Sequence, residues 1–188
     1  MCSAKVADEV VELYRQFAMA DYIGEHITQA EHMAQAAVLA KQQGYNAQIE
    51  LAAFLHDIGH LLAQSPKQSM GGYGAKEHEQ IGATFLQDRG FPEVIVKLVL
   101  SHVDAKRYLT YKKPQYYNTL SDASKKTLQH QGGPMSAEEA LAFEQASYFN
   151  EILQLRMWDE AAKETGLPLP DYDYYRQLII DVLETNAI

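Results

Sequence analysis

The stretch Leu51-Ala-Ala-Phe-Leu-His-Asp-Ile-Gly-His60 decides both the fold and the chemistry of this chain. Its five leading residues are apolar without alternation, which marks a buried helix rather than a half-exposed strand. A carboxylate at the end of such a helix carries a heavy desolvation cost unless a positive partner is at hand. Two ionisable groups and a further imidazole within one apolar helix end are hard to explain by packing alone. A metal explains them. Neutral imidazole and ionised carboxylate both bind divalent first-row metals, and the two oxygens of one carboxylate can serve two ions. Asp57 is the natural bridge, with His56 beside it about a quarter-turn away as a terminal ligand. His60, four residues after His56 on the same helical face, is spaced to bind a metal too, but a hydrogen-bonding support behind the ligands is the favoured reading.

Outward from this stretch the pattern is helical nearly throughout. Helices are expected over residues 4–17, 28–43, 47–62, 76–89, 93–109, 121–130, 137–148, 149–163 and 172–184, with residues 63–74 and 111–119 irregular. Gly44 and Gly90 stand where helix C-caps belong, and Ser136-Ala-Glu-Glu139 is a capping-box signature. No repeat, low-complexity tract or linker divides the sequence, so an all-α fold with a single domain over residues 1–188 is expected. On these helices His32 falls mid-helix, His78 in a first turn, His102 late in the fifth segment and Asp159 in Leu155-Arg-Met-Trp-Asp-Glu160. Ligands contributed by separate helices are how bundles build internal dimetal sites. His26 and His130 are taken as ordinary surface histidines.

Composition narrows the class. The chain has 188 residues, 47% hydrophobic and 22% charged, enough to bury a core without disulfide staples. Its 25 acidic and 16 basic residues give a formal charge of −9, which argues against binding nucleic acid or an anionic membrane. Cys2 has no partner, and neither a signal peptide nor a spanning apolar run is evident. A cytoplasmic protein is expected.

The order His, His-Asp, His, His, Asp resembles the HD-domain superfamily in its dimetal form, an all-helical bundle with two metals in its core. Further pieces narrow the likeness: Asp21-Tyr-Ile-Gly-Glu25, Met70-Gly-Gly-Tyr-Gly74, His102-Val-Asp-Ala-Lys-Arg-Tyr108, Leu120-Ser-Asp-Ala-Ser-Lys-Lys-Thr127 and Gln131-Gly-Gly-Pro-Met135. Together they are similar to the HD-domain diiron oxygenases that cleave 1-hydroxyalkylphosphonates, the 2-amino-1-hydroxyethylphosphonate (glycine-forming) type among them. The likeness runs from about Asp21 to Tyr175. It implies two irons in a mixed-valent Fe(II)/Fe(III) state, one held by His32, His56, Asp57 and Asp159, the other by Asp57, His78 and His102. It also implies a phosphonate substrate, O2 as co-substrate, and carbon–phosphorus cleavage to a carboxylate and phosphate. In such enzymes a Tyr-x-x-Glu element closes the open iron position and receives the substrate's ammonium. Tyr22 and Glu25 stand in those places, with Gly24 between them as a hinge.

The remaining residues suit that chemistry. A phosphonate dianion needs charge and donors, for which Lys106, Ser124, Thr127 and Gln131 are the right types. Ser124 and Thr127 are three apart, and Lys106 follows His102 by four, so each pair shares a helical face. Arg156, three before Asp159, is placed to orient that carboxylate. Met70 to Gly74 lacks P-loop spacing and is expected to be a tight turn. Two other classes stay open: a phosphohydrolase using the same ligands to activate water on a small phosphoester, and a degenerate binding module, whose usual sign of missing ligands is absent. The amine also stays open. Glu25 suits a primary ammonium and a glycine product, whereas Tyr22, Tyr73 and Tyr108 offer aromatic surface to a trimethylammonium and a glycine betaine product.

Overall fold

The structure, a computed structural model, describes residues 2–17, 19–22, 25–63, 75–168 and 170–186. Gly24, Tyr73 and the turn expected at Met70 to Gly74 lie outside the described residues. The helices are α1 (Ser3–Phe17), α2 (Gln29–Gln42), α3 (Ala47–Leu55), α4 (Ile58–Leu62), α5 (His78–Asp88), α6 (Glu93–Lys112), α7 (Pro114–Thr119), α8 (Asp122–His130), α9 (Ala137–Phe143), α10 (Phe149–Ala161) and α11 (Tyr172–Asn186). Among the described residues β structure is limited to isolated bridge positions, such as the pairing of Asp21 with Thr28. None of these helices is long and apolar enough to cross a membrane. The all-α expectation holds.

Helix starts follow local chemistry. Thr28 and Glu31 form a reciprocal capping box on α2, Asn46 caps α3 through two backbone amides, and Ser136 with Glu139 forms the expected box on α9. Gly44 and Gly90 take left-handed φ of +80° and +79° just past α2 and α5, where a side chain would be strained.

Three boundaries differ from the sequence expectation. The segment 47–62 is two helices, because Asp57 leaves helical geometry at φ −103° and ψ 13°. The doublet therefore forms a joint rather than part of a continuous helix. Residues 114–119, expected to be irregular, form α7: Pro114 sits in its first turn, where a missing N–H and a preset φ favour a helix. The segment from Ala137 stops at Phe143, and Tyr148 adopts a left-handed φ of 62° immediately before α10.

Two apolar cores position the site. The larger is anchored where Phe54 is stacked between Tyr14 and Tyr175, at centroid distances of 4.4 and 3.7 Å, tying α3 to α1 and α11. Burying one such ring contributes about 2–3 kcal/mol. The Tyr14 hydroxyl donates to the Phe54 carbonyl, giving a carbonyl at the end of α3 a partner beside the joint. The smaller core gathers Tyr108, Leu109, Tyr116, Leu128 and Met135 around the end of α6 and the helices that follow. Residues of α6 belong to both cores, Leu98 and Val99 to the first and Tyr108 and Leu109 to the second. His102 and Lys106 lie between them.

Candidate metal centre and substrate pocket

Four imidazoles converge because backbone atoms orient them. The Nδ1 atoms of His32, His56, His78 and His102 lie 2.9, 2.8, 3.2 and 2.7 Å from the carbonyl oxygens of Ala162, Ala53, Ala75 and Val99. A carbonyl only accepts, so Nδ1 carries the proton and Nε2 of each neutral ring is a bare lone pair. These bare nitrogens meet in pairs, His32 with His56 at 3.1 Å and His78 with His102 at 3.0 Å. Facing lone pairs call for a cation. Metal–nitrogen bonds of roughly 2.1 Å set at cis or tetrahedral angles place donor atoms about 3.0–3.4 Å apart, which is the spacing here.

The carboxylates complete two half-sites. Asp57 Oδ2 lies 3.7 Å from His32 Nε2 and 3.6 Å from His56 Nε2, while Asp57 Oδ1 lies 3.4 Å from both His78 and His102 Nε2. Each oxygen of Asp57 thus serves a different histidine pair. Asp159 Oδ1 joins the first pair alone, 3.3 Å from His32 and 3.9 Å from His56. One half offers four donors and the other three. All six residues are buried, Asp57 and Asp159 with 4% and 2% exposure, so water does not compensate their charges.

Protonation equilibria follow. Burial alone would push Asp57 up, but the surrounding imidazoles of His56, His102 and His78 hold it well below the usual carboxylate range. Asp159 is held low against burial by Arg156, whose guanidinium bonds Asp159, Glu160 and the Tyr116 hydroxyl. Burial drives His56 down to about 4. Burial also acts on His32, but the bond to Asp159 outweighs it and raises that group.

His60 departs from its expected place. The joint at Asp57 breaks the helical register, and the His60 ring stacks on His78, centroids 4.0 Å apart, instead of sharing a face with His56. Asp57, His60 and His78 bring donor atoms within 4.8 Å of one another, which by itself would permit a metal. However, His60 Nδ1 accepts the Ala75 N–H at 3.0 Å, so the proton of its neutral ring sits on Nε2. Burial, then His78, depress this group to about 3 and keep it neutral. It is a donor lining the pocket rather than a lone pair for a metal.

The close approach of α4 and α5 rests on Gly59, where a Cβ would stand 1.9 Å from the His78 carbonyl oxygen. Glu77 takes a left-handed φ of 60° directly before His78, a conformation costing about 1 kcal/mol for a residue with a side chain.

The expected substrate residues meet over this cluster. Tyr22, Glu25, Lys106, Ser124, Thr127 and Gln131 all line one pocket with Asp57, His78, His102 and Asp159. Lys106 is buried rather than solvated, and its Nζ donates to Thr127 Oγ1 at 2.9 Å. Burial, with the charge of Arg156, pulls this ammonium down to about 7. Tyr22 stacks on His32 with centroids 3.9 Å apart. Burial and the Asp57 and Asp159 carboxylates push its phenol well above the ordinary range. Tyr108 does not join them: it lies in the smaller core and bonds Glu144.

Two residues escaped sequence reasoning. Gln29 lines the pocket three positions before His32, and that spacing was the available signal. Lys163 lies 3.2 Å from Glu25 Oε1 and bonds Glu160, a contact between residues 138 positions apart that no local pattern announces.

The family model for the HD domain matches residues 29–150. An uncharacterized protein of Acanthamoeba polyphaga mimivirus is 45% identical over 179 residues, spanning 95% of this chain and 82% of that protein. The 1-hydroxy-2-(trimethylamino)ethylphosphonate dioxygenase (glycine-betaine-forming) of Leisingera caerulea is 43% identical over 159 residues, spanning 85% and 81%. The hydroxymethylphosphonate dioxygenase of Gimesia maris is 37% identical over 164 residues, spanning 87% and 81%. This chain belongs to the HD-domain family, in its group of hydroxyphosphonate oxygenases.

Proposed function

We propose that the protein is a diiron oxygenase that cleaves the C–P bond of 1-hydroxy-2-aminoethylphosphonate with O2, giving glycine and phosphate. The observation that carries this reading is the division of Asp57 between two histidine pairs beneath a pocket lined by Lys106, Thr127 and Glu25. His32, His56, Asp57 and Asp159 would hold one iron, and Asp57, His78 and His102 the other, with more open positions at the second. Imidazole and carboxylate donors suit iron, and O2 activation at a metal calls for one that changes oxidation state. When bound, a mixed-valent Fe(II)/Fe(III) pair supplies chelation of the C1 hydroxyl and a phosphonate oxygen together with activation of O2.

The protein's own groups do the rest. Lys106 and the Thr127 hydroxyl would hold the phosphonate, Glu25 would take the ammonium, and the His60 Nε2–H would donate to a substrate oxygen in the pocket. Tyr22 covers the cluster until substrate displaces it, which keeps oxygen chemistry coupled to binding. One substrate and one O2 together contain every atom of glycine and phosphoric acid, so no reductant is required. Sharing of α6 between the two cores supports one domain.

The test is iron-loaded protein supplied with the aminohydroxyphosphonate, following O2 uptake, phosphate and glycine. Equimolar consumption and release is expected. Phosphate release from a small phosphoester without O2 uptake would overturn the proposal in favour of a phosphohydrolase.

A further inference from the structure

We infer that Gln29, acting with Glu25, is a specificity-determining residue that selects a primary ammonium over a trimethylammonium; this rests on the function proposed above. Glu25 Oε1 and Gln29 Oε1 are buried acceptors on the pocket that receive no hydrogen bond. Buried acceptors are ordinarily satisfied, so a pair left open in a pocket points to a ligand that brings N–H groups.

Lys163 does not fill that role. Its Nζ bonds Glu160 at 2.8 Å, Ser121 Oγ at 3.2 Å and Ser124 Oγ at 3.4 Å. An ammonium has three protons, and Glu160 and the two serines compete with Glu25 for them. Lys163 therefore offsets the charge of Glu25 from 3.2 Å and leaves carboxylate lone pairs for a ligand's N–H groups.

Gln29 is held in place independently of any ligand. It opens α2 directly after the Thr28 cap, its backbone N–H donates to the Ala20 carbonyl at 3.1 Å, and it lies on the same face as His32. Gln131 also has an unpaired carbonyl oxygen on the pocket, but it follows Thr127 by four residues at the end of α8. Turning its amide presents N–H2 to a phosphonate, so it belongs with the anion donors.

The two amines make opposite demands. A primary ammonium has three N–H donors for the Glu25 and Gln29 oxygens. A trimethylammonium has none, would leave both acceptors buried and unpaired, and is stabilised by aromatic faces. Among the described pocket residues Tyr22 is the single aromatic ring besides the imidazoles, and one of its faces is stacked on His32.

The experiment compares Q29L and Q29E with wild type in iron-loaded protein, measuring kcat/KM for 1-hydroxy-2-aminoethylphosphonate, its trimethyl analogue and hydroxymethylphosphonate. Q29L should lower the ratio of aminoethyl to hydroxymethyl kcat/KM about tenfold, the value of a bond to a charged donor. It should also shrink the preference over the trimethyl substrate. Q29E keeps an acceptor and should restore both ratios. Equal losses on all three substrates in Q29L, or loss of phosphonate turnover in Q29E, would make Gln29 a structural residue or an anion donor and overturn the inference. If wild type turns over none of the three, the oxygenase reading fails by itself. Gln29 is then judged by calorimetric binding of the aminoethyl against the hydroxymethyl compound, where an unchanged ratio in Q29L is the refuting result.

Discussion

One methyl group should separate the two metal positions. In Gly59→Ala the added Cβ would lie 1.9 Å from the His78 oxygen, 2.6 Å from its carbonyl carbon and 2.9 Å from its Cα. All three are backbone atoms, so no side-chain rotation relieves the clash. The start of α5 must retreat by roughly 1 Å, whereas metal–ligand distances tolerate only about 0.2 Å. His78 supplies one of the three donors of the second half-site, and the other half depends on α2, α10 and the His56 side of the joint. Metal analysis should therefore fall from two equivalents towards one. Helix propensity alone predicts the opposite sign for stability, a gain of up to about 1 kcal/mol for Ala over Gly. The clash, worth about 1–3 kcal/mol, should win and lower the Tm. Two full equivalents of iron, with a Tm equal to or above wild type, would refute the claim that Gly59 holds α4 and α5 at the distance the site requires. Circular dichroism on the same sample separates local displacement from loss of the helical fold.

Three other substitutions probe separate parts of the site. Asp57→Ala removes the carboxylate shared by both histidine pairs, so metal analysis should show both ions lost or severely weakened. Retention of two equivalents would make Asp57 something other than a bridge. Lys106→Met keeps the buried aliphatic stem but removes the charge, and should raise KM for the phosphonate about tenfold or more with iron content unchanged. Tyr22→Phe preserves the ring stacked on His32 and deletes the phenol. During incubation in air without substrate it should lose iron or activity faster than wild type, and equal durability would sink the gating role.

What was legible in the sequence follows the range of each interaction. The Ser136 capping box and the glycine C-caps depend on four or five consecutive residues, and the chain displays them openly. His32, His56, Asp57, His78, His102 and Asp159 were recoverable as a set because their residue types fit few purposes inside apolar helices. Their division between two half-sites was not recoverable from composition or periodicity, only from likeness to a family. Gln29 and Lys163 are ordinary surface types in sequence terms. What puts Lys163 beside the pocket residue Glu25 is the approach of α2 and the segment before it to the end of α10, more than a hundred residues away. The joint at Asp57 was hidden for another reason: His56-Asp57-Ile has no Gly or Pro, and the break is stabilised by packing of α4 on α5 rather than by a local breaker.

The different uses of neighbouring histidines show where residue spacing stops being informative. His56, His78 and His102 each orient Nδ1 by a carbonyl three residues back in the chain, and His32 uses the carbonyl of Ala162. All four tautomers are thereby set by the backbone, with every Nε2 lone pair aimed inward before any ion arrives. Less reorganisation is then needed on binding. His60 follows His56 by four, the spacing of many paired metal ligands, and its ring lies against His78. Yet it meets a backbone N–H at Nδ1 instead of a carbonyl, which moves its proton to Nε2 and makes it a donor towards the pocket. One backbone atom, the nitrogen of Ala75 in place of an oxygen, separates a ring that offers a lone pair to a metal from one that offers a proton to the pocket. Because Ala75 O also orients His78, that single residue sets both tautomers at once, a ligand through its carbonyl and a hydrogen-bond donor through its amide.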